Sequence, residues 1–522
     1  MPTLNWIGKD KVINHHLEVP FRTLRKEYIY APDGSNQGNM IIHGDNLEAL
    51  KSLLPRYEGR VRCIYIDPPY NTGNEKWVYN DNVKDPRIQK WLGKVVGTEG
   101  EDLSRDDKWL CMMYPRLRLL QKLLSEDGTI FISIDDNEQA NLKLICDEIF
   151  GASHHIGTIV WQKRTSPDAR KKLSNGHEYI FVYTKNRDSD DHLKLIPLEG
   201  KDADAYSNPD NDPRGPWASS PFTAPGYRPN QMYTIVTPSG KEILPPKGRC
   251  WCNVEEVYQR LRSEGRMWFG ADGNGVPRRK TYLLEREGRG TWTWWTNSEV
   301  GYTQAATQEV SVILGKASFD YPKPTKLIQR IIKLASDPDS IILDSFAGSG
   351  TTAHAVLNMN KADGGHRKFI LVEMGDYADS ITAERVRRVI NGYGEGKNAV
   401  EGTGGSFSYY ELGVPLFQPD GMLNPEASLE DIRAYVFYSE TRESLIPRSG
   451  PDPYFLGFHD NAAYYFCYKP DQRTVLSHSL IREFRHRAEQ YVIYADICTL
   501  SEEEMSRWNI TFKKIPRDIK TF

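Results

Sequence analysis

Asp67, Pro68, Pro69 and Tyr70 place a carboxylate, two prolines and a phenol in consecutive positions. They close the run Val61 to Ile66, which is β-branched and aromatic and reads as a buried strand of a parallel sheet. The prolines stop the strand and remove two backbone donors, so neighbouring carbonyls stay free to accept hydrogen bonds. Open α/β sheets bind ligands at such carboxyl ends. An amino group on a nucleobase suits this set. Asp67 and the Pro68 carbonyl each accept one of its protons, and Tyr70 stacks on the ring. With both protons held, the nitrogen lone pair turns out of conjugation and becomes a nucleophile. Taken alone, a Pro-Pro turn reads better as a strand-to-turn junction with a capping Asp.

A second stretch far along the chain reverses that preference. Ile341 to Thr352, IILDSFAGSGTT, is again a β-branched run that ends in an acid, Asp344, and a Gly-rich turn opens a helix. Gly348 and Gly350 allow close backbone approach, and a helix amino end offers free N–H groups. A P-loop would need a lysine in the pattern GxxxxGK[ST], which occurs nowhere in the chain. The next strand, Lys368 to Val372, ends in Glu373, near the spacing at which an acid reaches ribose hydroxyls in a Rossmann-like unit. The pair therefore reads as an adenosine site without a triphosphate grip. S-adenosylmethionine fits, because its sulfonium is a cation and needs no phosphate cradle.

DPPY together with FAGSGTT resembles the amino-group DNA methyltransferases. The catalytic motif precedes the cofactor motif, which resembles the permuted beta class, and family features run over most of residues 1–415. The resemblance implies a Rossmann-like α/β methyltransferase fold with a mostly parallel sheet, an inserted recognition domain and a carboxyl-terminal extension. It implies catalytic roles for Asp67, Pro68, Pro69 and Tyr70. It places Asp344, Phe346, Gly348, Ser349, Gly350, Thr351, Thr352 and Glu373 on the cofactor. It also sets Asp45 and Asn46 beside the cofactor's adenine, with helix capping as the other reading. Lys326, in the lead-in Lys323 to Lys326, is expected along the methionine part, again with ordinary capping as the alternative. The target base has to be flipped out of duplex DNA. Adenine N6 is expected, because Asp rather than Ser opens the tetrapeptide; cytosine N4 is the alternative. A DNA-specificity subunit that no longer methylates is a further reading, opposed by the intact motifs. Neither a cysteine nucleophile nor a metal is required.

The elements that must position these residues follow from the rest of the chain. Met40 to Asp45 reads as a strand followed by a helix, and Tyr114 to Leu124 has helical spacing. Thr129 to Ile134, Gly157 to Trp161 and Tyr179 to Thr184 read as further strands. Residues 40–185 thus alternate strand and helix, which implies a parallel sheet. Asn71 to Asp81 reads as a flap over the site, continuing through 82–106. Residues 1–39 form an amino-terminal arm, and 317–415 the cofactor-binding half. Across 186–316 the alternation weakens and basic residues interleave with aromatics; Arg278, Arg279 and Lys280 are the strongest candidates for DNA contact. The segment 416–522 resembles the carboxyl-terminal part of modification subunits of type III restriction–modification systems. It is expected to contact a second modification subunit or a restriction subunit, with a structural cap as the alternative.

Composition narrows the class further. The 522 residues imply several domains, and a net charge of −3 gives no global sign of nucleic acid, although a local basic face is sufficient. Seven cysteines without repeated spacing read as reduced thiols in a cytoplasm; the Cys250 and Cys252 pair reads as ordinary thiols rather than a zinc site. No membrane span or leader is expected.

Overall fold

The run Val61–Ile66 is buried at every position, as its apolar residues dictate, and it becomes an interior strand of a ten-stranded sheet. A computed structural model describes residues 3–35, 37–72, 90, 93–94, 104–187, 192–198, 203–315, 319–396, 399–446 and 452–521. The sheet comprises β1 (Arg22–Tyr30), β2 (Met40–His43), β3 (Val61–Ile66), β4 (Leu124–Ile134), β5 (His155–Gln162), β6 (His177–Thr184), β7 (Trp294–Trp295), β8 (Ile341–Asp344), β9 (Lys368–Glu373) and β10 (Phe407–Pro415). Their spatial order is β1-β10-β2-β9-β8-β3-β4-β6-β5-β7. From β10 through β4 every pairing is parallel. The expectation of parallel pairing over residues 40–185 needs refining: β6 runs antiparallel to both β4 and β5. The β5–β6 connection contains no helix, so the chain reverses as a hairpin instead of crossing over.

Helices cover the sheet: α1 (Asn46–Tyr57), α2 (Arg105–Leu123), α3 (Gln139–Cys146), α4 (Thr303–Leu314), α5 (Thr325–Ala335), α6 (Thr351–Asp363), α7 (Glu384–Asn391) and α8 (Leu429–Thr441). A capping box opens α2: the Asp107 N–H donates to Ser104 Oγ at 3.1 Å, and the Ser104 N–H returns to Asp107 Oδ2 at 2.9 Å. β8 lies beside β3, with Ile342 opposite Cys63 and Leu343 opposite Ile64. This register brings Asp67 and Asp344 out of neighbouring strands at one sheet edge, although the sequence separates them widely.

The chain divides into two compact units, one of residues 1–193 with 292–522 and the other Lys194–Thr291. The smaller unit is narrower than the 186–316 read from composition, and Thr303–Leu314 belongs to the larger unit as α4. It holds an antiparallel sheet of Met267–Trp268, Arg278–Tyr282 and Trp217–Pro221, and a small core with Phe222, Trp251 and Tyr258.

The amino-terminal residues join the larger unit through β1, the outer partner of β10. The extension joins it through α8, whose Ile432, Tyr435 and Val436 share a core with Leu47, Leu50 and Leu54 of α1. Beyond α8 stands a four-stranded sheet of Phe455–His459, Ala462–Phe466, Gln490–Ala495 and Ile510–Lys514, in that spatial order, besides the short pair Val475–Leu476 and Ile497–Cys498. Among the described residues no helix is long and apolar enough to cross a membrane. Apart from Asn71 and Thr72, the expected flap Asn71 to Asp81 falls outside the described residues.

Candidate active site

Two prolines leave the end of β3 without donors, and the fold fixes it from outside: Trp109 Nε1 of α2 donates to the Pro69 carbonyl at 2.7 Å. Asp67 then faces a compact set of charges. Lys323 Nζ donates to Asp67 Oδ2 at 2.6 Å and lies 3.5 Å from Glu178 Oε2. Lys163 Nζ donates to Glu178 Oε1 at 2.9 Å. The Tyr70 hydroxyl lies 2.7 Å from Asp67 Oδ1 and 3.1 Å from Glu178 Oε2, so its single proton has two carboxylate acceptors. Lys323 also sits 5.1 Å from the centre of the Tyr70 ring. Two carboxylates and two ammoniums therefore surround one phenol.

Burial and pairing act on these groups in opposite directions. Burial pushes the Asp67 carboxyl above its ordinary range, and Lys323 opposes the push. Burial also works to raise Glu178, but Lys323 and Lys163 outweigh it and hold that carboxyl below its ordinary range. Burial lowers the Lys323 ammonium, yet Asp67 and Glu178 prevail and its proton is held more tightly than usual. The result is a charged ammonium beside a carboxylate with raised proton affinity.

The Gly-rich turn after β8 is built from within. Asp344 accepts the Phe346 N–H at 3.0 Å and the Thr352 hydroxyl at 2.5 Å. Burial pushes its carboxyl up to about 7. The Gly348 N–H donates to Glu373 Oε2 at 2.7 Å, and Thr382 Oγ1 donates to the Gly348 carbonyl at 2.6 Å. Gly350 has a φ of +81°, and a Cβ there would stand 3.1 Å from the Thr382 carbonyl. Fully buried Arg385 of α7 supports the turn, donating through Nη1 to Ser349 Oγ at 2.8 Å and Thr351 Oγ1 at 2.9 Å.

One cavity of about 820 Å³ joins the two motifs. Asp67, Pro68, Pro69, Tyr70 and Glu178 line it from one side, and Asp344, Phe346, Gly348, Ser349, Thr351 and Thr352 from the other. Five other expected contacts do not appear among its described lining, Gly350 of the turn being one of them. Asp45 caps α1, accepting the Leu47 N–H at 2.8 Å, and pairs with Arg116 at 3.1 Å. Asn46 Nδ2 donates to the Ser345 carbonyl at 2.9 Å, which ties α1 to the start of the turn. Glu373 Oε1 accepts the Gly375 N–H at 2.8 Å and the Tyr377 hydroxyl at 3.0 Å, so both its oxygens shape backbone. Lys326 is exposed on α5, whereas Lys323, one turn earlier, enters the cavity.

Glu178, Lys163, Arg385 and Trp109 were absent from the sequence-based set. Glu178 had a signal: it adjoins the apolar run Tyr179 to Thr184, at a point where a carboxylate reads as the wet end of a strand. Arg385 lay within a basic helix that reads as an outer face, but it is the inward side chain of that helix.

In the smaller unit the basic cluster separates by position. Lys280 is buried, ion-paired with Asp210 and 3.0 Å from Asp212. Its charge is neutralised internally, which removes it from the expected DNA contacts. Arg278 Nε donates to Ser219 Oγ at 2.7 Å, and Arg279 is exposed. Cys250 is buried, and among the described residues no group of three or more His, Cys, Asp or Glu could hold a metal ion.

Comparison with known proteins extends this geometry. A family described as DNA methylase (N6/N4) matches residues 61–384. The chain is 37% identical over 450 residues to the type III restriction-modification enzyme StyLTI Mod subunit of Salmonella typhimurium, covering 80% of this chain and 67% of that protein. It is 32% identical to the EcoP15I Mod subunit of Escherichia coli, over 75% of this chain and 66% of that one. It is 34% identical to the type II methyltransferase M.KpnI of Klebsiella pneumoniae, over 66% of this chain and 82% of that one. The chain thus spans about two thirds of the length of the two Mod subunits.

Proposed function

This chain belongs to the N6/N4 DNA methylase family, and from that premise we propose that it methylates the N6 amino group of adenine in duplex DNA, with S-adenosylmethionine as methyl donor. The observation that carries the reading is the shared cavity: Asp67 and Tyr70 face it from β3, and the Gly-rich turn faces it from β8. The likeness to two Mod subunits supports a role as the modification subunit of a type III restriction–modification system, acting in the cytoplasm beside a restriction subunit. Residues 194–291 form the proposed recognition unit, and 416–522 the proposed subunit contact.

The cavity's donors suit the cofactor. Ser349, Thr351 and Thr352 offer hydroxyls at the amino end of α6, where N–H groups await an anion such as a carboxylate. The carboxylates of Asp67 and Glu178 suit its cationic groups. When bound, S-adenosylmethionine supplies an electrophilic methyl group.

The chain's own residues do the rest. A stacked base cannot reach the cavity, so the target nucleotide leaves the duplex and Tyr70 receives its ring. Asp67 and the Pro68 carbonyl accept the two amino hydrogens and fix the nitrogen's orientation. Lys323 holds Asp67 in place through a bond of 2.6 Å. Asp67, its proton affinity raised by burial, takes the proton that the amino group sheds.

The test is direct. Full-length chain is incubated with unmethylated bacterial DNA and labelled S-adenosylmethionine, and the modified nucleoside is identified after digestion. N6-methyladenine, lost in Asp67→Ala, is the expected result. N4-methylcytosine would keep the site and replace the base. Cofactor binding without any transfer to DNA would overturn the catalytic reading.

A further inference from the structure

The loop of residues 163–176 joins β5 to β6 and is far longer than the two to five residues most hairpins use. Its base is fixed: the Lys163 N–H donates to the Gly176 carbonyl at 2.9 Å, and Asn175 Nδ2 to Asp136 Oδ2 at 2.9 Å. Its tip is shaped as well. Asp168 accepts Arg170 Nε and Nη2, each at 2.9 Å, and the Lys171 N–H donates to the Asp168 carbonyl at 3.0 Å. The loop holds Lys163, Arg164, Arg170, Lys171 and Lys172 against a single carboxylate, in a chain whose net charge is −3. Arg164, Arg170, Lys171 and Lys172 are exposed.

Among these cations stands Leu173, at 88% the most exposed large apolar side chain of the described residues. A single exposed leucine is ordinary on a protein surface. Its position is not, because Arg164, Pro167 and Arg170 of the same loop line the cavity that holds Asp67. A base that enters the cavity leaves a gap in the DNA stack. Proteins that distort duplexes fill such gaps with apolar wedges and hold the flanking phosphates with Lys and Arg.

We propose that the loop of residues 163–176 is a DNA-contacting element, in which Leu173 enters the stack vacated by the flipped base and Lys171 and Lys172 hold the adjoining phosphates. The inference rests on the methyltransferase reading above and adds to it the means of extrusion.

The experiment uses full-length chain and unmethylated plasmid DNA, on which the methylated position is first mapped by sequencing. That site is then placed in two synthetic duplexes, one with the target base paired and one with it opposite an abasic position. Leu173→Ala is expected to slow methylation of the paired duplex by about tenfold or more, since unstacking and unpairing cost a few kcal/mol. On the abasic duplex it is expected to match the parent within about twofold, because that base is already unpaired. Leu173→Met, which keeps an apolar side chain, is expected to retain the paired-duplex rate. Lys171→Ala with Lys172→Ala is expected to weaken binding to both duplexes and to flatten its salt dependence. Equal rates for parent and Leu173→Ala on the paired duplex, or the same loss on both duplexes, overturn the wedge. Failure of the parent chain to methylate any DNA overturns the reading beneath it, and the inference falls with it.

Discussion

Lys323 and Lys280 are each buried against two carboxylates and at least one aromatic ring. Lys323 lies 2.6 Å from Asp67, 3.5 Å from Glu178 and 5.1 Å from the centre of the Tyr70 ring. Lys280 pairs with Asp210, lies 3.0 Å from Asp212 and sits 4.9 Å from the centre of the Trp217 ring. Their surroundings differ. The partners of Lys323 open on the 820 Å³ cavity, and one phenolic proton is shared between them. The partners of Lys280 do not line that cavity, and further protein donors hold them: Asp212 also accepts the Tyr282 hydroxyl at 2.7 Å and two bonds from the Arg214 guanidinium at 2.9 Å. Hydrogen bonds from Arg214 hold the Asp212 carboxyl well below its usual range. On the function proposed above, the same charge set is framework where it lies apart from the cavity and machinery where it lines it, so that a ligand can exchange partners.

The largest effect is expected from Lys280→Met. Removing one member of a buried ionic cluster leaves carboxylates unpaired and costs about 3–4 kcal/mol. Thermal unfolding with limited proteolysis of residues 194–291 should report the loss. An unchanged melting profile would mean that Asp210 and Asp212 find water or Arg214 at little cost, and the framework role would fail.

Lys323→Met tests the other half. The cavity can hydrate Asp67, so stability should fall less than for Lys280→Met, while methyl transfer should fall by about 10²-fold. The direction with pH follows from the ion pair. Lys323 now lowers the proton affinity of an Asp67 that burial has raised, so its removal lets that affinity rise further. The acidic limb of the pH–rate profile should therefore move to higher pH. A lowered rate with an unmoved limb would assign Lys323 to positioning alone.

Asp344 extends the contrast to a buried acid held by neutral donors, the Phe346 N–H and the Thr352 hydroxyl. Its carboxyl is pushed from 3.8 up to about 7 by burial. The fold thus favours the protonated form, an advantage complete below pH 4 and lost as pH rises through 7. Compared with Asp344→Asn, the parent should lose about 2 kcal/mol of stability between pH 5 and pH 7. Urea unfolding at several pH values measures the difference, and parallel profiles would show that Asp344 does not titrate there.

The two lysines also mark where sequence reasoning stops. The strand of Asp67 and the turn after Asp344 were legible, because apolar runs, prolines and glycines act locally. The strand adjacency that unites them was legible only through the resemblance, since β8 meets β3 across most of the chain's length. Lys323 sits in a segment read as a helix entry, and Glu178 at the edge of an apolar strand; neither announces the other. Lys280 looked like a DNA contact because Arg278 and Arg279 precede it. Its acids, Asp210 and Asp212, lie in a polar, proline-rich segment that carries no strand signal.

Arg279→Ala, with the smallest expected effect, divides that basic cluster most finely. Successive strand residues point to opposite faces, so Arg279 is exposed where Lys280 is buried. An exposed arginine contributes little to folding, and the variant should keep its stability within about 0.5 kcal/mol. If Arg279 meets a phosphate, binding to unmethylated plasmid DNA should weaken modestly, and the slope of log affinity against log salt should fall by about one. If it reads a base edge, the loss should concentrate on the recognition sequence and leave that slope intact. Full retention of both affinity and slope would remove the outer face of this strand from the DNA surface. Neighbouring basic residues would then differ only in whether they brace the unit or meet solvent.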